Sequence, residues 1–366
     1  MRLDRLTLYS FRNYEEFGSD FVPGVNLIVG DNAQGKTNLL EAIAYLSTGR
    51  SFRTRKEQEL IRFGDDFCDL QAALSLEDRT QTIRAVMFQG RRQRQLYLGG
   101  VRQRNATNLH GLMPTVLFCP EDLLILKTGA AGRRKLLDTA LCQLRPGYEK
   151  ALSEYIKLYE HKSRILKDHR EHPSLLGPLP EFNEQMACYG ATLIAGRAKY
   201  LRALEQYANH FHREFSGGKE SLSLTYQTVS TVKDPFVPPE ALYAALREHQ
   251  ESHYRAELES AQCLSGPHKD DFLTELDGIS IRSFGSQGQT RTAAISLKLA
   301  EREIFRTDTG NEPILLLDDV LSELDAGRQN FVLNQIRTGQ VFITCCEKDR
   351  LTDLGQVVTI QQGARR

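Results

Sequence analysis

The sequence predicts an α/β protein: a mixed sheet with a phosphate-loop core and an antiparallel subsheet, into which a compact helical arm is inserted. Near the N-terminus, a short apolar run leads into a glycine-rich loop and then into a helical pattern. A second apolar run, ending in two aspartates, lies near the other end of the chain. Long helical patterns separate these features, so we expect one core built from both ends of the chain.

The glycine-rich loop is the most specific motif in the sequence. It fits the pattern G-x-x-x-x-G-K-[ST] and follows the apolar run Val25–Val29. Its candidate nucleotide contacts are Gly30, Asp31, Asn32, Ala33, Gln34, Gly35, Lys36 and Thr37, called the phosphate loop below. We expect Lys36 to reach the β- and γ-phosphates of a bound nucleotide and the Thr37 hydroxyl to ligate Mg²⁺, while backbone N–H groups at the helix start hold phosphate. The alternative is a glycine-rich turn with an incidental lysine.

Alternating apolar and polar residues predict a first strand around Leu6 and Leu8, and an antiparallel subsheet after the loop helix. The subsheet strands are Cys68–Leu76, Thr82–Phe88, Gln95–Leu98 and Val101–Asn105. Gly99 and Gly100 join the last two strands in a hairpin. Thr115–Phe118 then returns to the core.

Long helical patterns predict a compact arm between about Arg133 and Gln262. The predicted helices are Arg133–Leu144, Tyr148–Leu166, Glu181–Phe215 and Pro239–Gln262, with a proline-rich break at 173–180. The chain then returns to the head through a strand at Phe272–Leu276 and a turn at Asp277 and Gly278. We therefore expect a first head lobe at 1–130, the arm at 131–262 and the completion of the head at 263–366.

The second apolar run, Ile314–Leu317, is predicted to be a buried strand that ends in Asp318 and Asp319. Asp318 lies 282 residues after Lys36 (318 − 36). Paired with the phosphate loop, Asp318 is expected to hold Mg²⁺. Asp319 is expected to polarise the attacking water, which makes Asp319 and Lys36 the candidate catalytic residues. A helix cap without a catalytic role is the alternative for Asp319.

A third motif, the signature segment Gly285–Gln289, precedes a good helical pattern, with Ser286 as the predicted N-cap. Its sequence resembles the signature motif of ABC-type ATPases, with Ser286, Gly288 and Gln289 in the matching places. Ser322–Asp325 follows the carboxylates where that family has its D-loop.

Further segments resemble the RecF family, bacterial proteins of DNA replication and recombination repair that are related to SMC-type ATPase heads. These segments are Phe11–Tyr14, Thr48–Arg53, Phe118–Asp122, Arg133–Asp138 and Ser265–Asp271. The resemblance implies an ABC-type ATPase head in which Arg12 and Asn13 also contact ATP and Glu121 joins Thr37 and Asp318 at the metal. It also implies that the signature residues contact the ATP of a second protomer.

The resemblance further implies an ATP-dependent DNA-binding clamp with weak, DNA-stimulated ATPase activity, which forms a homodimer on double-stranded and gapped DNA. Its expected roles are gap repair, replication restart, SOS induction and assistance to RecA loading, with RecR as a partner and RecA and RecO as indirect ones. Two alternatives stay open: an ATPase subunit of a membrane transporter and an SMC-like structural scaffold. The wide separation of the nucleotide motifs disfavours the first, and the short arm without sustained heptads disfavours the second.

Two departures from the ABC pattern predict slow hydrolysis but do not affect the expectation of nucleotide binding. Asp319 stands where most ABC-type heads carry glutamate. Cys345, which follows the run Val341–Thr344, takes the place of the switch histidine, and a thiol is a weak hydrogen-bond donor.

The chain carries 47 basic and 47 acidic residues, so its formal net charge is zero. This excludes a uniformly basic DNA-binding protein but permits a local basic face. Basic residues cluster at 50–56, 91–94, 102–104 and 133–135. The candidate DNA contacts among them are Arg53, Arg55, Lys56, Arg92 and Arg94. A solvated loop is the alternative for each cluster.

No apolar run approaches the roughly 18 residues of a membrane span, and the first residues do not form a signal peptide. We therefore expect a cytoplasmic location without a membrane partner. Seven scattered cysteines without C-x-x-C spacing are expected to be reduced thiols.

Overall fold

The computed structural model describes residues 1–54, 56–90, 94–104, 109, 111–346, 354–361 and 364–365. The chain divides into two compact units, Met1–Leu124 with Lys298–Arg366, and Ile125–Leu297. The strands are β1 (Arg2–Phe11), β2 (Tyr14–Asp20), β3 (Val25–Val29), β4 (Phe67–Ser75), β5 (Thr80–Phe88), β6 (Gln95–Leu98), β7 (Val101–Gln103), β8 (Thr115–Phe118), β9 (Leu222–Gln227), β10 (Asp271–Leu276), β11 (Ile279–Ser280), β12 (Ile314–Leu317), β13 (Val341–Cys345), β14 (Gly355–Gln361) and β15 (Ala364–Arg365). The α-helices are α1 (Lys36–Thr48), α2 (Ala130–Leu144), α3 (Pro146–Asp168), α4 (Leu179–Ser216), α5 (Pro239–Ser260), α6 (Ile281–Phe284), α7 (Gln287–Thr309) and α8 (Ala326–Gln335). Among the described helices, none combines the length and the apolar composition that a membrane span requires.

The first unit contains a core sheet in the order β15-β14-β3-β13-β12-β8. All its neighbouring strands are parallel except β15, which is antiparallel to β14. Strands β3, β12 and β13 are nearly continuous apolar runs because both faces of a parallel sheet are covered. Since these strands are parallel, their carboxyl ends lie along one edge, where ligands bind in sheets of this type.

The same unit contains the predicted antiparallel subsheet, in the order β2-β1-β4-β5-β6-β7. Its core-facing residues alternate with polar ones, and helix α1 packs against strands of both sheets. Gly99 and Gly100 have positive φ and form the predicted turn between β6 and β7. Strand β2 was not predicted; it pairs with β1 in a tight hairpin. The mixed α/β fold predicted from the sequence is confirmed.

The second unit contains α2 to α6 and a three-stranded sheet in the order β11-β10-β9. The predicted helices left residues 216–238 unassigned, and Leu222–Gln227 within that gap forms β9, which pairs with β10. The proline-rich break is real but shorter than predicted, since α4 already begins at Leu179. The turn at Asp277 and Gly278 is confirmed, and both residues have positive φ.

The Ser265–Asp271 motif is part of a buried ionic network in this second unit. The Arg197 guanidinium lies 2.9 Å from carboxylate oxygens of both Asp138 and Asp270 and donates to the Pro267 carbonyl at 2.6 Å. Burial raises the pKa of Asp270, and the Arg197 charge opposes this shift. The network ties α2 and α4 to the segment that leads into β10, so this motif is explained by packing inside the unit.

Candidate nucleotide site

The phosphate loop lies at the carboxyl end of β3 and leads directly into α1. Gly35 has φ 116°, and a Cβ atom there would lie 2.8 Å from the Asn13 side chain. A Cβ atom at Gly30 would lie 2.4 Å from the Ile360 carbonyl oxygen. Both positions therefore require glycine for a turn this tight, which brings backbone N–H groups to the start of the helix.

Lys36 folds back over the loop that precedes it. Its ammonium group donates to the Gly30 carbonyl at 2.7 Å and to the Asp31 carbonyl at 3.2 Å. The residue is almost completely buried. These carbonyls hold the ammonium group at the mouth of the loop, where an incoming phosphate would exchange with them.

Thr37 and Asp318, from opposite ends of the sequence, meet at this edge of the sheet. The Thr37 hydroxyl donates to Asp318 Oδ1 at 2.9 Å. Burial raises the pKa of Asp318, and hydrogen bonds from Thr37 and Thr344 oppose the shift. A divalent cation at this carboxylate would favour its ionised form. The hydroxyl and carboxylate are oxygen ligands that suit Mg²⁺, which usually takes few protein ligands and completes its shell with water and nucleotide phosphates.

The role of Thr344 in this site was not predicted from the sequence. Strand β13 lies between β3 and β12, so Thr344 stands beside both aspartates. Its Oγ1 accepts the Asp319 N–H at 2.7 Å and lies 3.1 Å from Asp318 Oδ1 and 3.2 Å from Asp319 Oδ1. One buried hydroxyl thus orients both carboxylates, a role that no motif indicates because it depends on the strand order.

The backbone of Asp319 is in the left-handed region, with φ 50°, which is uncommon for a residue with a side chain. Asp319 stands at the N-cap position of a short 3-10 helix, Val320–Glu323, but its side chain makes no capping hydrogen bond. The alternative role as a helix cap is therefore not supported. The Thr344 contact instead holds the Asp319 carboxylate at the carboxyl end of β12.

The assignment of Cys345 to the place of the switch histidine stays a prediction. The thiol that reaches the phosphate loop belongs to Cys346: Lys36 Nζ lies 3.2 Å from Cys346 Sγ, and the thiol donates to Asn32 Oδ1 at 3.0 Å. Cys345 is the last residue of β13, and burial raises the pKa of its thiol. A thiol is a poor donor to phosphate, so the chemical expectation for this position is unchanged.

Asn13 lies against the phosphate loop. Its side-chain amide donates to the Gln34 carbonyl at 2.9 Å, and Asn13 Oδ1 accepts from Asn38 at 2.7 Å. Arg12 is held by Glu41 in a two-pronged ion pair, with distances of 2.9 and 2.7 Å. Asn13 thus supports the loop backbone, and a direct contact of either residue with ATP stays a prediction.

Glu121 lies on a short 3-10 helix, Pro120–Leu124, that follows β8. Strand β8 pairs with β12, which leads into Asp318, and the Asp318 N–H donates to the Phe118 carbonyl at 2.9 Å. Glu121 is exposed, and its described contact is with Cys119 rather than with Asp318. Its role as a metal ligand stays a prediction. Within the described ranges, no three His, Cys, Asp or Glu side chains cluster as a preformed metal site.

The signature segment lies in the second unit, and the predicted N-cap is confirmed. Ser286 Oγ accepts the Gln289 N–H at 3.1 Å, and the Gln289 side chain accepts the Ser286 N–H at 2.9 Å. This reciprocal pair is a capping box. Gln289 also donates to Glu220 at 2.8 Å, which lowers the pKa of that carboxyl with help from His212. Ser286 is exposed, and Gly288 is partly buried.

The candidate DNA contacts fall into three groups. Lys56 is exposed, with a side chain 81% accessible. Arg53 is also exposed, and it donates to Asn38 Oδ1 at 2.6 Å. Arg94 is held within the chain, where it pairs with Glu57 and donates to Tyr45 at 3.0 Å. Arg55 and Arg92 lie outside the described residues.

Arg133, from the fourth basic cluster, is buried and forms a two-pronged ion pair with Asp271 at 2.6 and 2.8 Å. Its charge is therefore used within the second unit. Arg102 and Arg104, on and just after β7, are exposed. Arg133 is therefore buried whereas Arg102 and Arg104 are exposed, although all three belong to basic clusters of the sequence.

Comparison with known proteins adds the family context. Residues 2–365 match the RecF/RecN/SMC N-terminal domain family. The chain is 39% identical over 350 residues to the DNA replication and repair protein RecF of Agathobacter rectalis, which covers 95% of this chain and 93% of that relative.

Two solved structures are similar over the whole chain. One, described as the recombination mediator protein RecF-ATPrS in the RecFOR pathway, has a TM-score of 0.92 and 33% identity and covers 100% of this chain and 97% of its own. The other, RecF-ATP in the same pathway, has a TM-score of 0.90 and 34% identity, with coverage of 100% and 96%.

Proposed function

This chain belongs to the RecF family, and we propose on that basis that it is an ATP-dependent DNA-binding clamp that acts as a recombination mediator. In this proposal it binds ATP and Mg²⁺, dimerises on double-stranded or gapped DNA and hydrolyses ATP slowly. It serves gap repair, replication restart and SOS induction, together with RecR and, indirectly, RecO and RecA. A location in the cytoplasm is part of the proposal.

The observation that carries the proposal is the meeting of Thr37 and Asp318 at 2.9 Å, beside a lysine held at the mouth of a phosphate loop. Lys36 and the loop N–H groups would bind the phosphates of ATP, and Thr37 and Asp318 would hold Mg²⁺. Asp319 would accept a proton from the attacking water. Asp319 is one methylene shorter than glutamate and Cys346 donates weakly, and both features support slow turnover.

The proposed dimer places the signature segment of one protomer on the ATP held by the other. A two-fold axis uses each surface twice and closes the assembly. ATP would then link the protomers, and loss of the γ-phosphate would release them. The exposed hydroxyl of Ser286, at a capped helix N-terminus, supports this role.

Ser286→Arg is expected to block ATP-dependent dimerisation while leaving the ATP affinity of the monomer within about twofold, because the large side chain would fill the space of the partner's phosphate. Sedimentation velocity measures the dimer, and a fluorescent ATP analogue measures the affinity. Ser174→Arg, at an exposed serine of the second unit far from the signature segment in sequence, is the matched control. An equal loss of monomer affinity would instead assign Ser286 to the site of its own chain.

DNA contact is proposed for Lys56, Arg102 and Arg104, three of the exposed basic residues of the first unit. Replacing all three with Glu should weaken duplex binding and leave ATP binding intact. Each lost phosphate contact should lower the slope of log affinity against log salt by about 0.9. Reversal of three exposed lysines of α3, Lys150, Lys157 and Lys167, is the control for net charge. A slope unchanged from the wild type would remove these residues from the DNA surface.

One experiment tests the whole proposal: sedimentation of the wild-type chain with and without ATP, and with and without gapped duplex DNA. The expected result is a monomer without ATP and a dimer with ATP that DNA further stabilises. Absence of DNA binding in both nucleotide states would contradict the clamp and favour the transporter-subunit alternative.

A further inference from the structure

A large apolar side chain is exposed beside the signature serine. Phe284 is 78% exposed and stands two residues before Ser286. The adjacent Arg282, Ser283 and Gln287 are exposed as well, so the aromatic ring stands among polar neighbours. An aromatic side chain surrounded by polar residues is the usual composition of an energetic centre in a protein–protein interface.

The backbone on both sides of this ring is fixed. The Lys127 ammonium group donates to the Gly285 carbonyl at 2.8 Å and to the Arg282 carbonyl at 3.3 Å. The Gly285 N–H donates to the Ile281 carbonyl at 3.0 Å, and a Cβ atom at Gly285 would lie 2.8 Å from that same oxygen. Only glycine permits this close passage, so the chain direction between Phe284 and Ser286 is set by packing.

The capping box fixes the other side of the segment, since Ser286 and Gln289 exchange hydrogen bonds. The ring is therefore presented on an ordered backbone. A side chain held in this way loses less conformational entropy when it binds than one on a mobile loop. Phe284 therefore differs from an apolar residue that is exposed on a mobile loop, because its backbone is held in place.

We propose that Phe284 packs against a second copy of this chain and is the apolar anchor of the ATP-bound dimer. This inference rests on the proposed function, in which Ser286 contacts the γ-phosphate bound by the partner. Two residues of extended chain span at most about 7 Å, so Phe284 lies within reach of an interface that contains Ser286. The two-fold axis places the ring in the interface twice, and each copy is desolvated when the dimer forms.

The test uses Phe284→Ala and the conservative variant Phe284→Leu in the full-length chain, with sedimentation velocity in a slowly hydrolysed ATP analogue. Phe284→Ala is expected to weaken dimerisation roughly 30-fold or more, which corresponds to about 2 kcal/mol. Phe284→Leu should stay within about fivefold of the wild type, because it retains an apolar side chain. Phe63→Ala, which truncates a fully exposed phenylalanine of the first unit, is the matched control and should dimerise like the wild type.

The ATP affinity of each variant under monomeric conditions separates the possible outcomes. The expected result is unchanged monomer affinity with loss of the dimer. Wild-type dimerisation by Phe284→Ala would overturn the anchor alone and leave the proposed function standing. A loss of ATP affinity in the monomer would also overturn it, since Phe284 would then serve its own chain's site. A wild-type chain that stays monomeric in ATP would overturn both this inference and the proposed dimer.

Discussion

Lys36→Ala is expected to weaken ATP binding by about 100-fold and to abolish ATP-dependent dimerisation. The lysine carries the only mobile charge that the phosphate loop motif assigns to the β- and γ-phosphates, and hydrogen bonds to charged groups contribute roughly 1.5–3 kcal/mol each. Equilibrium binding of a fluorescent ATP analogue measures the first effect, and sedimentation velocity measures the second.

Lys36 also holds the loop through the Gly30 and Asp31 carbonyls, so the variant needs a check on folding. Circular dichroism and thermal unfolding should remain close to those of the wild type, because the core strands around the loop are unchanged. Lys56→Ala removes an exposed lysine from the same unit and should bind ATP normally. Dimerisation of Lys36→Ala on addition of ATP would show that the nucleotide site has been assigned to the wrong residues.

The sequence predicted those features that depend on local pattern. The phosphate loop, the capped signature segment, the hairpin turn at Gly99 and Gly100 and the buried run Ile314–Leu317 each have a short-range signature that sterics or burial enforces. Strand β9 also had such a signature, since Leu222, Leu224 and Tyr226 alternate with polar residues, but it is short and lies between long helical patterns. Strand β2 is less regular, because two glutamates separate the buried residues Tyr14 and Phe17.

What the sequence did not predict depends on strand order and burial. Thr344 orients two carboxylates only because β13 lies between β3 and β12, and the sequence does not state that order. Successive side chains at the end of a strand point to opposite sides, so counting residues from a motif cannot show whether Cys345 or Cys346 faces the phosphate loop. A basic cluster in the sequence likewise shows where charge lies but not whether each side chain is buried. Arg133 therefore looked like a surface residue, although it is a buried ion-pair partner.

Asp319→Asn is expected to lower ATP turnover by about 100-fold or more and to prolong the lifetime of the ATP-bound dimer. An amide cannot accept the proton of the attacking water as a carboxylate does, and general-base catalysis typically contributes 10²–10⁴-fold. ATP affinity should change little, because Asp319 is not assigned to the metal. Steady-state phosphate release measures turnover, and dilution of preformed dimers measures the lifetime. Asp318→Asn is the contrasting variant, since loss of the proposed Mg²⁺ ligand should already impair dimer formation.

Substitutions at Thr344 test the same carboxylates and should have a smaller effect on turnover. Thr344→Val keeps the shape of the side chain but removes the hydroxyl beside both carboxylates, so turnover should fall about tenfold while ATP affinity is retained. Thr344→Ser restores the hydroxyl and should recover most of the activity, which a purely structural role for the methyl group would not allow. If Asp319→Asn hydrolyses ATP at the wild-type rate, the carboxylate is not the base. The Thr344 contact would then serve only to hold the left-handed turn at the end of β12.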